Sequence, residues 1–152
     1  MQDYDFRTPL HYAARHGHAE IVRFLILRGS NINALDRWNQ TPFYEAVTNL
    51  HPKVVKILSQ HSGGFSLQGL HLACFLNKII MAHNLEMLQL ATLAADFTLR
   101  CADYDERTPL HVAGHLGYGH IYHYLVSKGA DTKKPDIWGN LPVLKSKNIT
   151  SS

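Results

Sequence analysis

The sequence predicts an all-α solenoid of about four to five stacked helix pairs. Three features carry this reading. Residues Asp3–Leu10 read DYDFRTPL and residues Asp103–Leu110 read DYDERTPL, an internal copy 100 residues on. The copy continues without a gap: His11, Ala13, Gly17, Ile21, Leu25, Gly29, Asp36, Trp38 and Pro42 recur at His111, Ala113, Gly117, Ile121, Leu125, Gly129, Asp136, Trp138 and Pro142. A period of 33 lies inside the longer one, because Thr8-Pro9 recurs as Thr41-Pro42 and Pro109 as Pro142. Between the copies stands a third start, Gly69-Leu70-His71-Leu72-Ala73, with irregular spacing on both sides.

The first unit shows the local chemistry. Thr8 can cap a helix, its hydroxyl accepting from a free backbone N–H. Pro9 suits the first helical position, where no N–H is needed. Leu10, Ala13 and Ala14 form a short apolar stripe at helical spacing. Gly17 ends this helix, since glycine tolerates a positive φ. A second helix is expected over Ala19–Leu27, burying Ile21, Val22, Leu25 and Ile26, with Gly29 at its end. Neither helix is long enough to hold alone in water, so each pair must stack on its neighbours.

Thr8-Pro9-Leu10-His11-Tyr12-Ala13 and Thr108-Pro109-Leu110-His111-Val112-Ala113 carry T-P-L-H-x-A at the right period, and the chain resembles the ankyrin-repeat family over nearly its whole length. The resemblance implies antiparallel helix pairs with β-hairpin-like loops along one edge. It also implies a single repeat domain over 3–145, divided into Asp3–Leu35, Asp36–Ser66, a degenerate Leu67–Ala102, Asp103–Pro135 and a partial unit over 136–145, with 146–152 as a tail. Several positions depart from the family pattern. Phe6, Asn39 and Glu106 stand where the hairpin turn is often glycine, whereas Gly139 is regular. Leu50 replaces the glycine found at Gly17, which predicts an altered or strained turn. The third unit lacks Thr-Pro and carries extra residues near Lys78–Asn84, so a bulged loop or a lengthened helix is expected there.

A narrower resemblance lies in the loop strings. DYDxRTPLH followed by Asp36-Arg37-Trp38-Asn39-Gln40-Thr41-Pro42 is similar to the ankyrin region of animal-type glutaminases. It is also similar to ankyrin segments of asparaginases and of plant kinases related to integrin-linked kinase. The parents' catalytic chemistry has no counterpart here. No serine has lysine three residues on, and no Gly-x-x-x-x-Gly-Lys, His-Arg-Asp or Asp-Phe-Gly string occurs. The chain is therefore expected to be a non-catalytic protein-interaction module. The alternative is an accessory region of a larger enzyme, an amidohydrolase first and an ankyrin-linked kinase second.

Composition sets the remaining bounds. Hydrophobic residues at 45% and charged residues at 18% describe an ordered chain rather than a disordered tail. A net charge of +3 is too small to indicate nucleic acid. Cys74 and Cys101 are too few for a disulfide framework and are expected to be buried free thiols in a reducing, cytoplasmic setting. No apolar run reaches the roughly 18 residues of a membrane-spanning helix, and no leader is expected from Met1-Gln2-Asp3-Tyr4-Asp5, so no membrane partner is expected. Asn39-Gln40-Thr41 and Asn148-Ile149-Thr150 match the glycosylation pattern by chance on this reading. Among eleven histidines, His11, His71 and His111 are expected to tie adjacent repeats. His120-x-x-His123 lies on one helical face without a Cys or acidic companion, so solvated imidazoles are expected rather than a metal site. No cofactor is expected. Lys133, Lys134, Lys145 and Lys147 read as a solvated basic cluster at the C-terminal end.

The family's usual partner surface comprises the hairpin tips and the exposed end of each first helix. Carried onto this sequence, it predicts partner contacts at Tyr4, Asp5, Arg7, Arg15, His16, Arg37, Trp38, Gln40, Tyr104, Asp105, Arg107, His115, Trp138 and Asn140. Two readings stand for the aromatic tips: stacking that stiffens the edge, and hot-spot contacts to a partner. Phe75 and Leu76 would be exposed apolar residues unless the irregular third unit buries them. Ala19–Leu27 is too apolar for a capping helix. It predicts a missing upstream segment, a covering partner or self-association at that end.

Overall fold

The computed structural model describes residues 5–67 and 69–145. Tyr4, Lys147, the Asn148 sequon and the tail at 146–152 lie outside the described residues. All regular structure among the described residues is helical: α1 (Pro9–Arg15), α2 (Ala19–Leu27), α3 (Pro42–Thr48), α4 (Pro52–Gln60), α5 (Gly69–Met81), α6 (Leu85–Ala91), α7 (Pro109–Leu116) and α8 (Gly119–Ser127). The chain divides into two compact units, Met1–Ser66 with Gln89–Phe97, and Leu67–Leu88 with Thr98–Ser152. In the first unit α1 packs on α2 and α3, and α4 packs on α3 and α2. In the second, α7 packs on α5 and α8.

Local chemistry sets the helix ends. The hydroxyls of Thr8, Thr41 and Thr108 accept the N–H of His11, Tyr44 and His111 at 3.4, 3.2 and 3.4 Å. Proline follows each cap at the first helical position. Past α1 the chain turns at Gly17 with φ 73°, where a Cβ would lie 2.6 Å from the His51 ring. His51 sits that close because its Nε2–H donates to the Arg15 carbonyl at 2.8 Å. Leu50 makes the corresponding turn after α3 with φ 56° and no glycine, a strain of about 1 kcal/mol. Phe6, Asn39 and Glu106 likewise hold φ near the left-handed region, at 60°, 59° and 59°, alongside Gly139 at 80°.

The irregular third unit is resolved by a lengthened helix. α5 runs for 13 residues, against seven in α1 and α3. The extra turns bury Leu76 fully and Phe75 partly, so neither forms an exposed apolar patch. His71 is exposed on α5, contrary to the expected tying role, because no Thr-Pro cap precedes it. The second helix of the first unit also differs from expectation. Val22 is buried, but Ile21 is 49% exposed, and Leu25 and Ile26 are half-buried. At the same repeat positions Ile121 and Leu125 are fully buried.

The cysteines separate. Both are free, but Cys74 is exposed and only Cys101 is buried. Burial pushes the Cys101 thiol up to about 11. The unfolded chain therefore ionises first above 9.0, and this site's stability contribution falls as pH climbs from 9.0 toward 11. Iodoacetamide at neutral pH is expected to label Cys74 alone in the native chain and both thiols after denaturation. Equal native labelling of both, read by mass spectrometry, would contradict the buried placement of Cys101.

Candidate interaction surface

The loops before the first helices are built on one device. Asp36 Oδ1 accepts the N–H groups of Trp38 and Gln40, both at 2.9 Å. Asp103 Oδ1 does the same for Asp105 and Arg107, at 2.9 and 3.0 Å. Asp136 Oδ1 accepts from Trp138 and Asn140, at 3.0 and 2.8 Å. A short side chain that satisfies its own loop's donors fixes a tight turn without a sheet. For Asp136, desolvation pushes the carboxyl up, but the Asn140 and Trp138 donors outweigh it and hold the carboxyl below its ordinary range.

Histidine ties two of these loops, those of Asp36 and Asp136, to the helix beside them. His11 Nε2 lies 2.9 Å from the Gln40 carbonyl, and His111 Nε2 lies 2.9 Å from the Asn140 carbonyl. A carbonyl can only accept, so Nε2 carries the hydrogen in both rings. Nδ1 then accepts the Thr8 N–H at 3.1 Å and the Thr108 N–H at 3.0 Å.

With the loops fixed, the tips project. In the first unit the Arg37 N–H donates to the Asp5 carbonyl at 2.6 Å, and the two side chains approach to 4.0 Å. Arg7 lies over the Trp38 ring at 5.1 Å, near Asp36 at 3.7 Å and Glu45 at 3.9 Å. Arg15 and His16 are exposed at the end of α1, and Gln40 is half-buried. The second unit repeats the plan. The Ile137 N–H donates to the Asp105 carbonyl at 3.0 Å, and Arg107 lies 5.7 Å from the Trp138 ring centre. Arg107 also pairs with Asp105 at 2.7 Å. The indoles are therefore paired with arginines across the loop rather than stacked ring on ring. Trp38 and Trp138 remain 52% and 63% exposed, and Tyr104 is 85% exposed.

In the second unit Arg107, His115, Trp138 and Asn140 line one groove of about 630 Å³. Sequence reasoning missed two of its other walls. Lys145, read as a solvated tail residue, faces this groove, with Nζ 3.0 Å from His115 Nδ1. Leu141 and Val143 line it as well, 47% and 66% exposed. The available signal was the 100-residue offset, which sets Lys145 against Glu45. His120 and His123 are exposed, and no group of three metal-type ligands occurs among the described residues.

Thr-Pro-capped helix pairs, histidine ties and projecting Asp turns define a helical-repeat scaffold. Known families agree. The description "Ankyrin repeats (3 copies)" matches residues 1–69, and "Ankyrin repeat" matches residues 105–137. The chain belongs to the ankyrin-repeat family. It is 27% identical to an L-asparaginase of Dirofilaria immitis over 147 residues, covering 97% of this chain and 25% of that protein. It is 43% identical to the mitochondrial liver-isoform glutaminase of Mus musculus over 69 residues, covering 44% of this chain and 11% of that protein. It is 42% identical to the serine/threonine-protein kinase VIK of Arabidopsis thaliana over 62 residues, covering 41% of this chain and 14% of that protein. The chain thus spans a quarter or less of the length of these relatives.

Proposed function

We propose that this chain is a non-catalytic interaction module that binds a protein partner through its loop tips and first helices. The observation that carries this reading is the pair of exposed indoles, Trp38 and Trp138, each held over an arginine on a loop fixed by an aspartate. Rigid aromatic and arginine side chains bind at low entropic cost and dominate interface energetics. The double variant Trp38→Ala/Trp138→Ala is expected to melt within about 2 °C of the parent chain. It should lose the partners that the parent chain captures from a cytoplasmic extract, the compartment we assign. Equal capture by both chains would show that the indoles do not hold the partner, and a collapse of the melting temperature would show that they serve the fold.

A second reading places the chain as an accessory region of a larger enzyme, an amidohydrolase first and a kinase second. It is favoured by the asparaginase, glutaminase and kinase relatives, whose length this chain covers only in small part. On either reading the purified chain is expected to show no glutaminase, asparaginase or kinase turnover above buffer. Turnover that survives repurification would remove the non-catalytic assignment.

A further inference from the structure

Helices α2, α4 and α8 occupy one repeat position, since α4 stands 33 residues and α8 100 residues on from α2. Their outer faces differ. On α2, Glu20, Ile21, Phe24, Leu27 and Arg28 fall on one side of the helix, at spacings of three and four residues. All five are exposed, Phe24 at 57% and Leu27 at 84%. At the same positions α4 carries Lys53, Val54, Ile57, Gln60 and its cap His61, and α8 carries His120, Ile121, Tyr124, Ser127 and its cap Lys128. Stacking of helix pairs accounts for part of the α2 face. Val54 and Ile57 are buried on α4, which packs on α2, so one further helix pair would cover Ile21 and Phe24. It would leave Leu27 in water, because Gln60 and Ser127 stay exposed at that position. Leu27 alone of those three is apolar. The ends differ as well, because only α2 has an acid in its first turn and a base at its cap.

We propose that the α2 face binds a second copy of this chain, α2 against α2 in antiparallel order, with the two-fold axis at Phe24. Glu20 and Arg28 lie four residues either side of Phe24, and Ile21 and Leu27 lie three residues either side. Each Glu20 therefore meets the other copy's Arg28, each Ile21 meets the other copy's Leu27, and the two Phe24 rings meet at the axis. An isologous contact of this kind is self-complementary and closes as a dimer. Glu20 already accepts from Arg23 Nη1 at 3.0 Å, and its carboxylate has acceptor capacity for a second donor. Arg23 itself lies about 100° round the helix from Phe24, at the edge of the contact. Arg28 lies over the Phe24 ring of its own chain at 5.4 Å, which holds the cation beside the apolar centre. The same register on α4 would set Lys53 against His61, and on α8 His120 against Lys128, with no acid in either pair. Opposite charges at the two ends, with apolar side chains between them, single out α2 among the three helices. The assignment uses none of the loop-tip residues and stands apart from the interaction-module reading.

Light scattering of the full chain at concentrations up to about 1 mM should show the mean mass rising toward twice that of the monomer. Glu20→Arg and Arg28→Glu each place like charges at both ends of the contact. Each single variant is expected to associate about tenfold more weakly than the parent chain. Mixed in equal amounts, the two variants restore opposite charges at both ends and should associate as tightly as the parent. Both positions are exposed, so each variant should keep the parent's circular dichroism spectrum and melting temperature. A parent chain that stays monomeric throughout overturns the proposal and leaves this face to a different polypeptide. Association that neither single variant weakens, or that the mixture fails to restore, puts the contact on another surface and overturns it as well.

Discussion

Phe43→Ala is expected to destabilise the chain by about 3–5 kcal/mol, the range for removing a buried aromatic ring. Phe43 is fully buried on α3, and its ring meets Phe65 edge to face, with centroids 5.1 Å apart and planes at 89°. Deleting the ring forfeits its transfer energy and this contact, and leaves a void lined by Phe65. α3 also packs on both α1 and α4, so the void lies where helix pairs meet. Thermal unfolding followed by circular dichroism should show a fall of about 10 °C or more. Val143→Ala, at the equivalent but 66% exposed position, is the control and should cost about 0.5 kcal/mol or less. A loss below about 1 kcal/mol for Phe43→Ala would mean that α3 does not close the first unit.

The next largest effect is expected at the histidine ties. His11 is fully buried and holds three polar groups: the Thr8 N–H at 3.1 Å, the Thr8 hydroxyl at 3.0 Å and the Gln40 carbonyl at 2.9 Å. Alanine leaves the Thr8 N–H and the Gln40 carbonyl without their partner. Each orphaned group costs about 1–2 kcal/mol, giving about 3 kcal/mol in all. His111→Ala should cost a similar amount, since His111 bonds Thr108 and Asn140 in the same way. The two ties share no partner, so the double variant should lose the sum of the single losses. Urea unfolding of the two single variants and the double variant measures this. A His11→Asn variant that recovers most of the loss would show that a side-chain amide can replace the ring. Single losses under about 0.5 kcal/mol would show that water replaces the ring at these positions.

The ends of the helices were legible in the sequence because they depend on neighbours three or four residues away. Thr8, Thr41 and Thr108 cap the helices that their Thr-Pro strings announce, and Gly17 turns the chain with the positive φ that glycine allows. The 33-residue and 100-residue periods declared the repeat architecture for the same reason, since each unit repeats its own short-range hydrogen bonds. The loop aspartates also follow the period, at Asp103 and Asp136, and each closes its own turn.

Burial was decided by tertiary structure. Ile21 and Ile121 are the same residue at the same repeat position, yet one is 49% exposed and the other fully buried. Helical periodicity marks a face as apolar, but the hydrophobic effect is non-directional and acts only where another surface arrives. Cys74 and Cys101 separated for the same reason. The exposure of the loop tips was legible in part. Trp38, Trp138 and Tyr104 stand exposed at the tips, where the family resemblance put them. What the sequence could not supply was their company: arginines over the indoles, and Lys145 beside His115 at the edge of a groove. Lys145 lies 30 residues from His115 along the chain, and their approach depends on where the Val143–Lys145 segment runs against Gly114. Short-range hydrogen bonding, written in the order of residues, determined the elements. Which faces are covered and which charges meet followed from how the helix pairs and loops pack, because those contacts join residues far apart in sequence.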